Sequence, residues 1–300
     1  MLDYREITLE DREIFLSFFE KGYYDNSEFS FANLYIWRHS YFMQFCVKDD
    51  VLYIMGRYKK SLPFFMPPIL RDPNASHRIP METIIDDFKA RGFPFLVKGV
   101  TEEMKMKIEN DYPGMFHFEE DRDNFDYVYN SSDLINLTGR KYHKKRNHIN
   151  KFVRKYDYEY EAMREEHVEE CKIASIHWFS ERSSGVGDDL EDEKIAVVEA
   201  LQNMEALNLK GGLIRVEGRV EAFSLGERLN RDTAVIHIEK ANPDIPGLYA
   251  MINQKFAEDA WSDVTYINRE EDMGIPGLRK SKRSYYPVRM VKKYNVTLKE

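Results

Sequence analysis

The strongest candidates for chemistry in this 300-residue chain are the cations between residues 140 and 155. Eight lysines and arginines lie there without an intervening acid, although the chain carries a formal net charge of -8. Tyrosine and apolar side chains recur on one face of the predicted helix 139–156, so the element can dock on a core while its cations point outward. Outward cations suit phosphate groups, and the alternative is a solvated basic face. The candidate binding residues are Arg140, Lys141, Lys144, Lys145 and Arg146.

A second polar cluster lies in residues 268–287, whose sequence is NREEDMGIPGLRKSKRSYYP. A predicted strand ends there, and Gly274 and Pro276 precede a helix that carries four further cations. Ligands of α/β proteins often bind where strands end and helices begin. The alternative is that Asp272 caps the helix and the glycines form turns. The candidate binding residues are Asn268, Arg269, Glu270, Arg279 and Lys280.

This second cluster differs from an ordinary loop, because charges of both signs crowd a short strand-to-helix connection. We therefore expect Glu270, Asp272 and Arg279 to be partly buried and to pair with one another or with the central strands. They should lie beside a pocket that also contacts the predicted strand 220–229.

The elements that must position these residues follow from hydrophobic periodicity. Both halves of the chain show strands joined by hairpins, followed by helix, strand and helix, which indicates α/β layers and a weak structural repeat. The acidic segment 119–126 is the predicted boundary between a domain at 1–125 and a domain at 126–300. A polar, glycine-bearing loop is predicted at 183–189. Strands are predicted at 41–47, 51–58, 62–70, 93–97, 157–163, 212–216, 220–229, 233–240, 264–268 and 288–294.

Composition limits the class of protein. Hydrophobic residues make up 43% of the chain and charged residues 32%, which is typical of folded proteins and not of disordered or collagen-like ones. No stretch approaches eighteen consecutive apolar residues, and acids near the N-terminus argue against a signal peptide, so we expect a cytoplasmic protein without a transmembrane segment. The two cysteines, Cys46 and Cys171, support neither a disulfide framework nor a zinc site, and no metal site is predicted.

Three segments together resemble a known family: SEFSFANLYIW near Ser27, TGRKYHKKRNHINKF from Thr138, and the cluster from Asn268. They resemble uncharacterised bacterial proteins similar to the C-terminal domain of phosphatidylglycerol lysyltransferases, over nearly the whole chain. The resemblance implies a mixed α/β fold of two tandem Gcn5-related N-acyltransferase-like domains, each a central sheet flanked by helices. The Fem aminoacyltransferases share that fold.

The resemblance also implies an activity. The named enzymes of this family move an aminoacyl group from aminoacyl-tRNA to a lipid or cell-wall precursor. By that resemblance the basic helix 139–156 would contact tRNA or another anionic partner, and the acceptor would be an amine or hydroxyl of a lipid or small molecule. No tightly bound cofactor is expected.

The acyl donor has an alternative. Acetyl-CoA enzymes of this superfamily hold the pyrophosphate in a glycine-rich run at a helix N-terminus. The corresponding segment here, ANPDIPGLYAM, has only Gly247 and two prolines that lack N–H donors. An aminoacyl-tRNA donor is therefore favoured, with acetyl-CoA-dependent N-acetylation as the alternative and a non-catalytic binding module as a third reading.

Direct acyl transfer needs a nucleophile held against an ester carbonyl, donors for the developing oxyanion, and a group that accepts a proton. Backbone groups of the predicted strand 220–229 are candidate oxyanion donors. A structural role is the more common one for a histidine such as His237, and strand alternation does not say which acid faces a cleft. The candidate catalytic residues are Glu227, His237, Glu239 and Asp272.

Overall fold

The structure is a computed structural model that describes residues 1–182 and 188–299, so residues 183–187 of the predicted polar loop lie outside the described residues. Over those ranges the chain divides into two compact units. The first unit comprises Met1–Asp126, Glu271–Pro276 and Met290–Glu300, and the second comprises Tyr127–Glu270 and Gly277–Arg289. The chain therefore passes from the first unit into the second twice, and it returns to the first unit at Glu271 and again at Met290.

Strands and helices alternate along the chain. The strands are β1 (Arg5–Glu6), β2 (Gln44–Lys48), β3 (Val51–Gly56), β4 (Phe64–Phe65), β5 (Ile69–Leu70), β6 (Val97–Thr101), β7 (Phe116–Glu120), β8 (Asp126–Asn130), β9 (Tyr158–Ala162), β10 (Lys210–Val216), β11 (Arg219–Arg228), β12 (Thr233–Ala241), β13 (Tyr266–Asn268), β14 (Arg289–Val291) and β15 (Lys293–Leu298). The helices are α1 (Arg12–Phe19), α2 (Phe31–Trp37), α3 (Arg78–Arg91), α4 (Glu102–Asp111), α5 (Ser131–Asn136), α6 (His143–Lys155), α7 (Val168–Arg182), α8 (Asp188–Gln202), α9 (Leu248–Ala260) and α10 (Pro276–Arg283). Short 3-10 turns occur at Leu9–Asp11, Arg122–Asn124, Arg140–Tyr142 and Glu165–His167.

The first unit is built on a mixed sheet. Among the described residues this sheet has eight strands, in the order β1-β2-β3-β4-β6-β15-β7, and β5 also pairs with β3. Aromatic rings fill its core. The centre of the Phe15 ring lies 4.7 Å from that of Phe45 and 5.3 Å from that of Phe31. The predicted strand 62–70 is wrong as a single element, because Pro67 and Pro68 between β4 and β5 lack the N–H groups of a continuous ladder.

The end of the chain completes the sheet of the first unit. Strand β15 pairs antiparallel with both β6 and β7, so it separates two strands that come much earlier in sequence. The predicted strand 288–294 is therefore two strands, β14 and β15, which belong to different sheets. Local periodicity cannot reveal this, because both pieces have the composition of ordinary strands.

A buried ion cluster lies at the start of β15. Lys293 is 1% exposed, and its Nζ lies 2.6 Å from carboxylate oxygens of both Glu28 and Asp126. Asp126 also accepts a hydrogen bond from the backbone N–H of Ser27 at 2.8 Å. Burial by itself lowers the pKa of Lys293, but the two carboxylates more than offset burial and hold that pKa above its ordinary value. The motif around Ser27 thus contributes to an interior ion cluster.

The second unit contains most of the other sheet. In the described residues its order is β14-β8-β13-β12-β11-β10-β9, and β9 to β12 form an antiparallel run. Helix α9 then carries the chain from β12 to β13, which lies parallel to β12, as a parallel connection requires. In the described part of the chain, no helix combines the length and the apolar character needed to span a bilayer.

Candidate functional site

Strands β12 and β13 diverge within the second unit. They pair over three residue pairs, from Thr233 with Tyr266 to Val235 with Asn268. Beyond this point β12 continues beside β11 to Ala241, whereas β13 ends at Asn268. The carboxyl ends of parallel strands are the usual ligand-binding edge of an α/β sheet. Several of the predicted site residues lie just beyond the last pair.

His237 lies at an irregularity in β12. Leu225 of β11 faces Ile238 and Gly226 faces Ile236, so His237 is the extra residue of a β-bulge. The neighbouring backbone allows little space for a side chain at Gly226, because a Cβ there would lie 2.4 Å from the carbonyl oxygen of Val235.

Two carboxylates hold the ring of His237. Its Nδ1 lies 2.8 Å from Glu270 and its Nε2 lies 3.0 Å from Glu227, and the ring is fully buried. Burial by itself lowers the pKa of His237, but the hydrogen bonds and charges of the two acids more than offset burial and raise the pKa to about 9. The imidazole is therefore a cation at neutral pH, with both N–H groups donating. This arrangement supports an electrostatic role and not that of a general base.

Arg269, the first residue after β13, binds a different acid. Its Nη2 donates to Glu239 Oε1 at 2.8 Å, while Asn253 Nδ2 of α9 donates to Glu239 Oε2 at 3.0 Å. The exposed fractions of the Arg269 and Glu239 side chains are 10% and 15%. Arg269 also lies against aromatic rings, with its Cζ 4.8 Å from the centre of Tyr285 and 5.7 Å from that of Tyr129.

Lys145 of α6 faces the same tyrosine. Its Nζ lies 3.6 Å from the centre of the Tyr285 ring, so two cations share one aromatic neighbour. Burial and, to a smaller extent, the positive charge of Arg269 together lower the pKa of Lys145 to about 8, although Glu239 partly opposes both effects. Lys145 lies three residues after the buried Tyr142 and four before the buried Ile149, so it belongs to the inward stripe of the helix.

The other predicted cations of the basic segment have different surroundings. Arg146 donates to the backbone carbonyl oxygens of Leu137 and Gly139, so it holds the turn that precedes α6. Lys141 lies 3.6 Å from Asp133 and is 45% exposed. Arg140 and Lys144 are exposed as well.

The second predicted cluster does not form a single site. Asn268 is buried, and its Oδ1 accepts the backbone N–H of Glu270 at 2.8 Å, which supports the left-handed backbone of Glu270. Asp272 belongs to the first unit, where it is fully buried and lies 3.3 Å from Nη1 of Arg122. It also accepts the N–H of Gly274 at 3.0 Å, so it holds the turn before α10 and does not directly precede the helix as the capping alternative would require.

The remaining residues of that cluster lie on α10, where Arg279 is half-buried and Lys280 is exposed. One cavity of the second unit has a different lining from the expected pocket. It contains no residue of the strand 220–229 or of 268–283 among those described. Its lining consists of Ser175, Trp178, Phe179, Lys240, Ala241 and Tyr249.

Sequence reasoning missed two members of the group around Arg269. Tyr285 lies within the second polar cluster, and its pairing with cations was the available signal, because tyrosines beside lysine and arginine often stack with them. Asn253 carries no such signal, since one asparagine in a predicted helix has no distinguishing pattern. We call Lys145, Glu239, Asn253, Arg269 and Tyr285 the Arg269 cluster.

The N-terminus of α9 is the position at which acetyl-CoA enzymes would hold a pyrophosphate. Gly247 caps this helix with φ of +94°, and a Cβ there would lie 2.5 Å from the carbonyl oxygen of His148 in α6. The backbone of α6 therefore packs directly against the first turn of α9. A helix N-terminus binds phosphate through free N–H groups that face the ligand, and this close packing restricts the approach.

Comparison with known proteins identifies relatives along the whole chain. The family described as phosphatidylglycerol lysyltransferase, C-terminal, matches residues 22–297. A conserved protein of unknown function from Bacteroides thetaiotaomicron is 38% identical over 100% of both chains, with a TM-score of 0.92. An uncharacterized protein of Mycoplasmoides gallisepticum is 24% identical over 174 residues, which are 57% of this chain and 55% of that relative. This chain thus spans about half the length of that curated relative.

More distant structures share the fold. The C-terminal domain of a putative lysylphosphatidylglycerol synthetase from Agrobacterium fabrum is 13% identical, with 97% of this chain and 92% of that chain covered and a TM-score of 0.67. A tandem GNAT protein from the clavulanic acid biosynthesis pathway is 6% identical, with 98% of each chain covered and a TM-score of 0.54. The predicted tandem acyltransferase fold is confirmed. The chain belongs to the phosphatidylglycerol lysyltransferase C-terminal family and has the fold of its acyltransferases.

Proposed function

We propose that this protein is an aminoacyltransferase that moves an aminoacyl group from aminoacyl-tRNA to an amine or hydroxyl acceptor. The observation that carries the proposal is the Arg269 cluster, which places two cations against one ring at the diverging ends of β12 and β13. Family membership supports the reaction class, and the cluster supports this location for it.

The reaction is an acyl transfer without redox change. The acceptor nitrogen or oxygen forms a bond to the ester carbonyl carbon, and the bond from that carbon to the ribose oxygen of tRNA breaks. The proton leaves the acceptor and ends on the ribose hydroxyl. Negative charge develops on the carbonyl oxygen, and Lys145 and Arg269 are the cations that would stabilise it. A pKa near 8 also lets Lys145 exchange a proton near neutral pH.

Two observations favour a tRNA donor over acetyl-CoA. The close packing of α6 on Gly247 restricts the phosphate approach that acetyl-CoA enzymes use. The exposed side of the basic segment offers cations to a polyanion instead. These exposed cations are Arg140, Lys144, Lys151, Arg154 and Lys155.

The test is to incubate the protein with total tRNA charged with labelled amino acids and with cell extract. Label should move into lipid, peptide or small-molecule fractions. Lys145→Met should lower the transfer rate roughly 100-fold, as the loss of an oxyanion-stabilising group does. Lys255→Met is the matched control, because Lys255 pairs with Glu258 outside the cluster, and it should leave the rate unchanged.

Three results would contradict the proposal. Transfer at the wild-type rate by Lys145→Met would show that the Arg269 cluster takes no part in the reaction. Micromolar binding of acetyl-CoA together with acetyl transfer would show that the donor is acetyl-CoA and not aminoacyl-tRNA. Binding of tRNA without transfer of any group would favour the non-catalytic module.

A further inference from the structure

We propose that Glu239, Asn253 and Arg269 recognise an α-aminoacyl head, that is, an ammonium group adjacent to a carbonyl. The inference rests on the proposed function and adds to it the chemistry of the group that is bound. It assigns Glu239 and Asn253 to the ammonium, and Arg269 together with Lys145 to the carbonyl oxygen.

The cluster has hydrogen-bonding capacity that the protein does not use. Nη1 of Arg269 and Oδ1 of Asn253 are both buried and have no hydrogen-bond partner among the described residues. Asn253 is 4% exposed, and the side chain of Arg269 is 10% exposed. Buried polar atoms without partners are costly, and most such atoms in native proteins have one. A bound group that supplies both partners would explain why these residues are present.

The two residues that carry the unused atoms both bind one carboxylate. The other terminal nitrogen of Arg269 binds Glu239 Oε1, and the amide nitrogen of Asn253 binds Glu239 Oε2. The carboxylate accepts hydrogen bonds and does not donate them, so the amide of Asn253 must present its nitrogen to Glu239 and its oxygen elsewhere. The cluster therefore offers one donor, on Arg269, and one acceptor, on Asn253.

An ammonium beside a carbonyl matches both atoms. The ammonium has three N–H donors, which can reach Asn253 Oδ1 and the Glu239 carboxylate. The carbonyl accepts from Arg269 Nη1. A phosphate group matches less well, because it would bring only acceptors to Asn253 Oδ1 and would be repelled by Glu239.

Lys145 supplies the second cation on the carbonyl side. Its ammonium lies against Tyr285 and has no acidic partner in the described ranges. Lys145 and Arg269 thus give the cluster more positive charge than Glu239 neutralises. That surplus suits a carbonyl oxygen on which negative charge develops during transfer.

The test uses two stable mimics of the tRNA end, 3′-aminoacylamino-3′-deoxyadenosine and the same compound without its amino group. Calorimetry should show that the wild-type protein binds the amine form at least 10-fold more tightly. Asn253→Leu should reduce the ratio of the two affinities towards one. Lys145→Met should weaken the binding of both mimics by a similar factor. Lys255→Met is again the matched control and should retain the full ratio. The free amino acid amide is a further probe, and tighter binding of it than of the adenosine form would assign the head to the acceptor and overturn its assignment to the donor.

Equal binding of the two mimics by the wild type would overturn the inference, and so would an unchanged preference in Asn253→Leu. If that variant does not fold, Asn253→Ala replaces it, with thermal unfolding as the check. Transfer from charged tRNA, measured on the same preparations, keeps the two proposals apart. Transfer without amine preference contradicts the recognition alone, whereas amine preference without transfer contradicts the proposed function alone.

Discussion

The fully buried His237 and the partly buried Lys145 have pKa values that are shifted in opposite directions. Both side chains lose solvation, which disfavours their charged forms. His237 has a carboxylate on each ring nitrogen and remains charged to about pH 9, whereas Lys145 has Arg269 nearby and loses its proton near pH 8. The neighbours, and not the residue types, decide which group can exchange a proton at neutral pH.

The raised pKa of His237 makes stability depend on pH. Its pKa lies above the ordinary value of 6.5, so its stabilising contribution is complete below pH 6.5 and is lost as the pH rises through about 9. We expect the wild-type free energy of unfolding to fall by about 3 kcal/mol across that window. The His237→Gln variant should have a lower free energy of unfolding below pH 6.5 and should lack this fall. Urea unfolding at several pH values measures both effects.

His117→Gln is the control for this measurement, because His117 is exposed in the first unit. Its curve should run parallel to that of the wild type. If the pH dependence of stability in His237→Gln also ran parallel to that of the wild type, the two acids would not hold the imidazole charged.

The buried ion cluster of the first unit gives a second prediction at this scale. Lys293→Met leaves the buried Asp126 and the partly exposed Glu28 without their cation, so it should lower the free energy of unfolding by about 3–5 kcal/mol. Lys292→Met is the matched control, since its pair with Glu120 is about half exposed and should change stability little. Similar losses in urea unfolding for both variants would contradict the assigned role of Lys293.

Sequence alone identified part of the Arg269 cluster. Glu239 is a candidate because it lies near the central hairpin and Arg269 because it follows a strand end, yet nothing local shows that they pair with each other. The run of cations predicts that Lys145 points outward, although its spacing from Tyr142 and Ile149 places it on the inward face. Asp272 was a candidate for the same reason as Arg269, but its partner lies in the first unit. Side-chain partners depend on tertiary packing, which composition does not encode.

At the scale of elements, the packing of α6 against α9 depends on a glycine. Gly247→Ala combines a left-handed backbone with a Cβ 2.5 Å from the carbonyl oxygen of His148, so α6 would have to move. We expect a loss of about 3 kcal/mol or more in urea unfolding. Gly218→Ala is the control, because Gly218 has a similar positive φ but open space, and it should lose about 1 kcal/mol. Equal losses would show that backbone strain alone matters at Gly247.

The strong hairpins and long helices were predictable, because their periodicity and turn residues are local properties. Strands β10 to β12 lie within a few residues of the predicted ranges. The bulge at His237 was not predictable, since its cause is the register against β11. Helix α2 has no amphipathic pattern that would predict it, because it is buried on several sides.

At the scale of the whole molecule, charge is unevenly distributed. The chain has a formal net charge of -8, yet the exposed side of α6 is basic. We expect Lys144→Gln, Lys151→Gln and Arg154→Gln together to weaken tRNA binding. The slope of the logarithm of affinity against the logarithm of salt concentration should also become shallower, by roughly 0.7–0.9 for each phosphate that the variant no longer neutralises. Filter binding at several salt concentrations measures both effects.

The control for that experiment is an equal change of charge in the first unit. The exposed lysines chosen for it are Lys21, Lys48 and Lys60. Their replacement by Gln should leave the salt dependence as it is in the wild type. The same flattening in both triple variants would mean that net charge, and not the basic helix, governs binding.

The place of β15 has a consequence for synthesis on the ribosome. Its sheet neighbours β6 and β7 leave the exit tunnel early, but they remain unjoined until β15 itself is translated. Domains usually fold in the order in which they are made, from the N-terminus. Here the segment Tyr127–Glu270 of the second unit is translated before β15, while the nascent first unit waits with two strand edges open to wrong pairing. Any arrest of translation before Lys293 would release a chain that also lacks the cation for Glu28 and Asp126, and quality-control proteases would have an unfinished sheet to recognise.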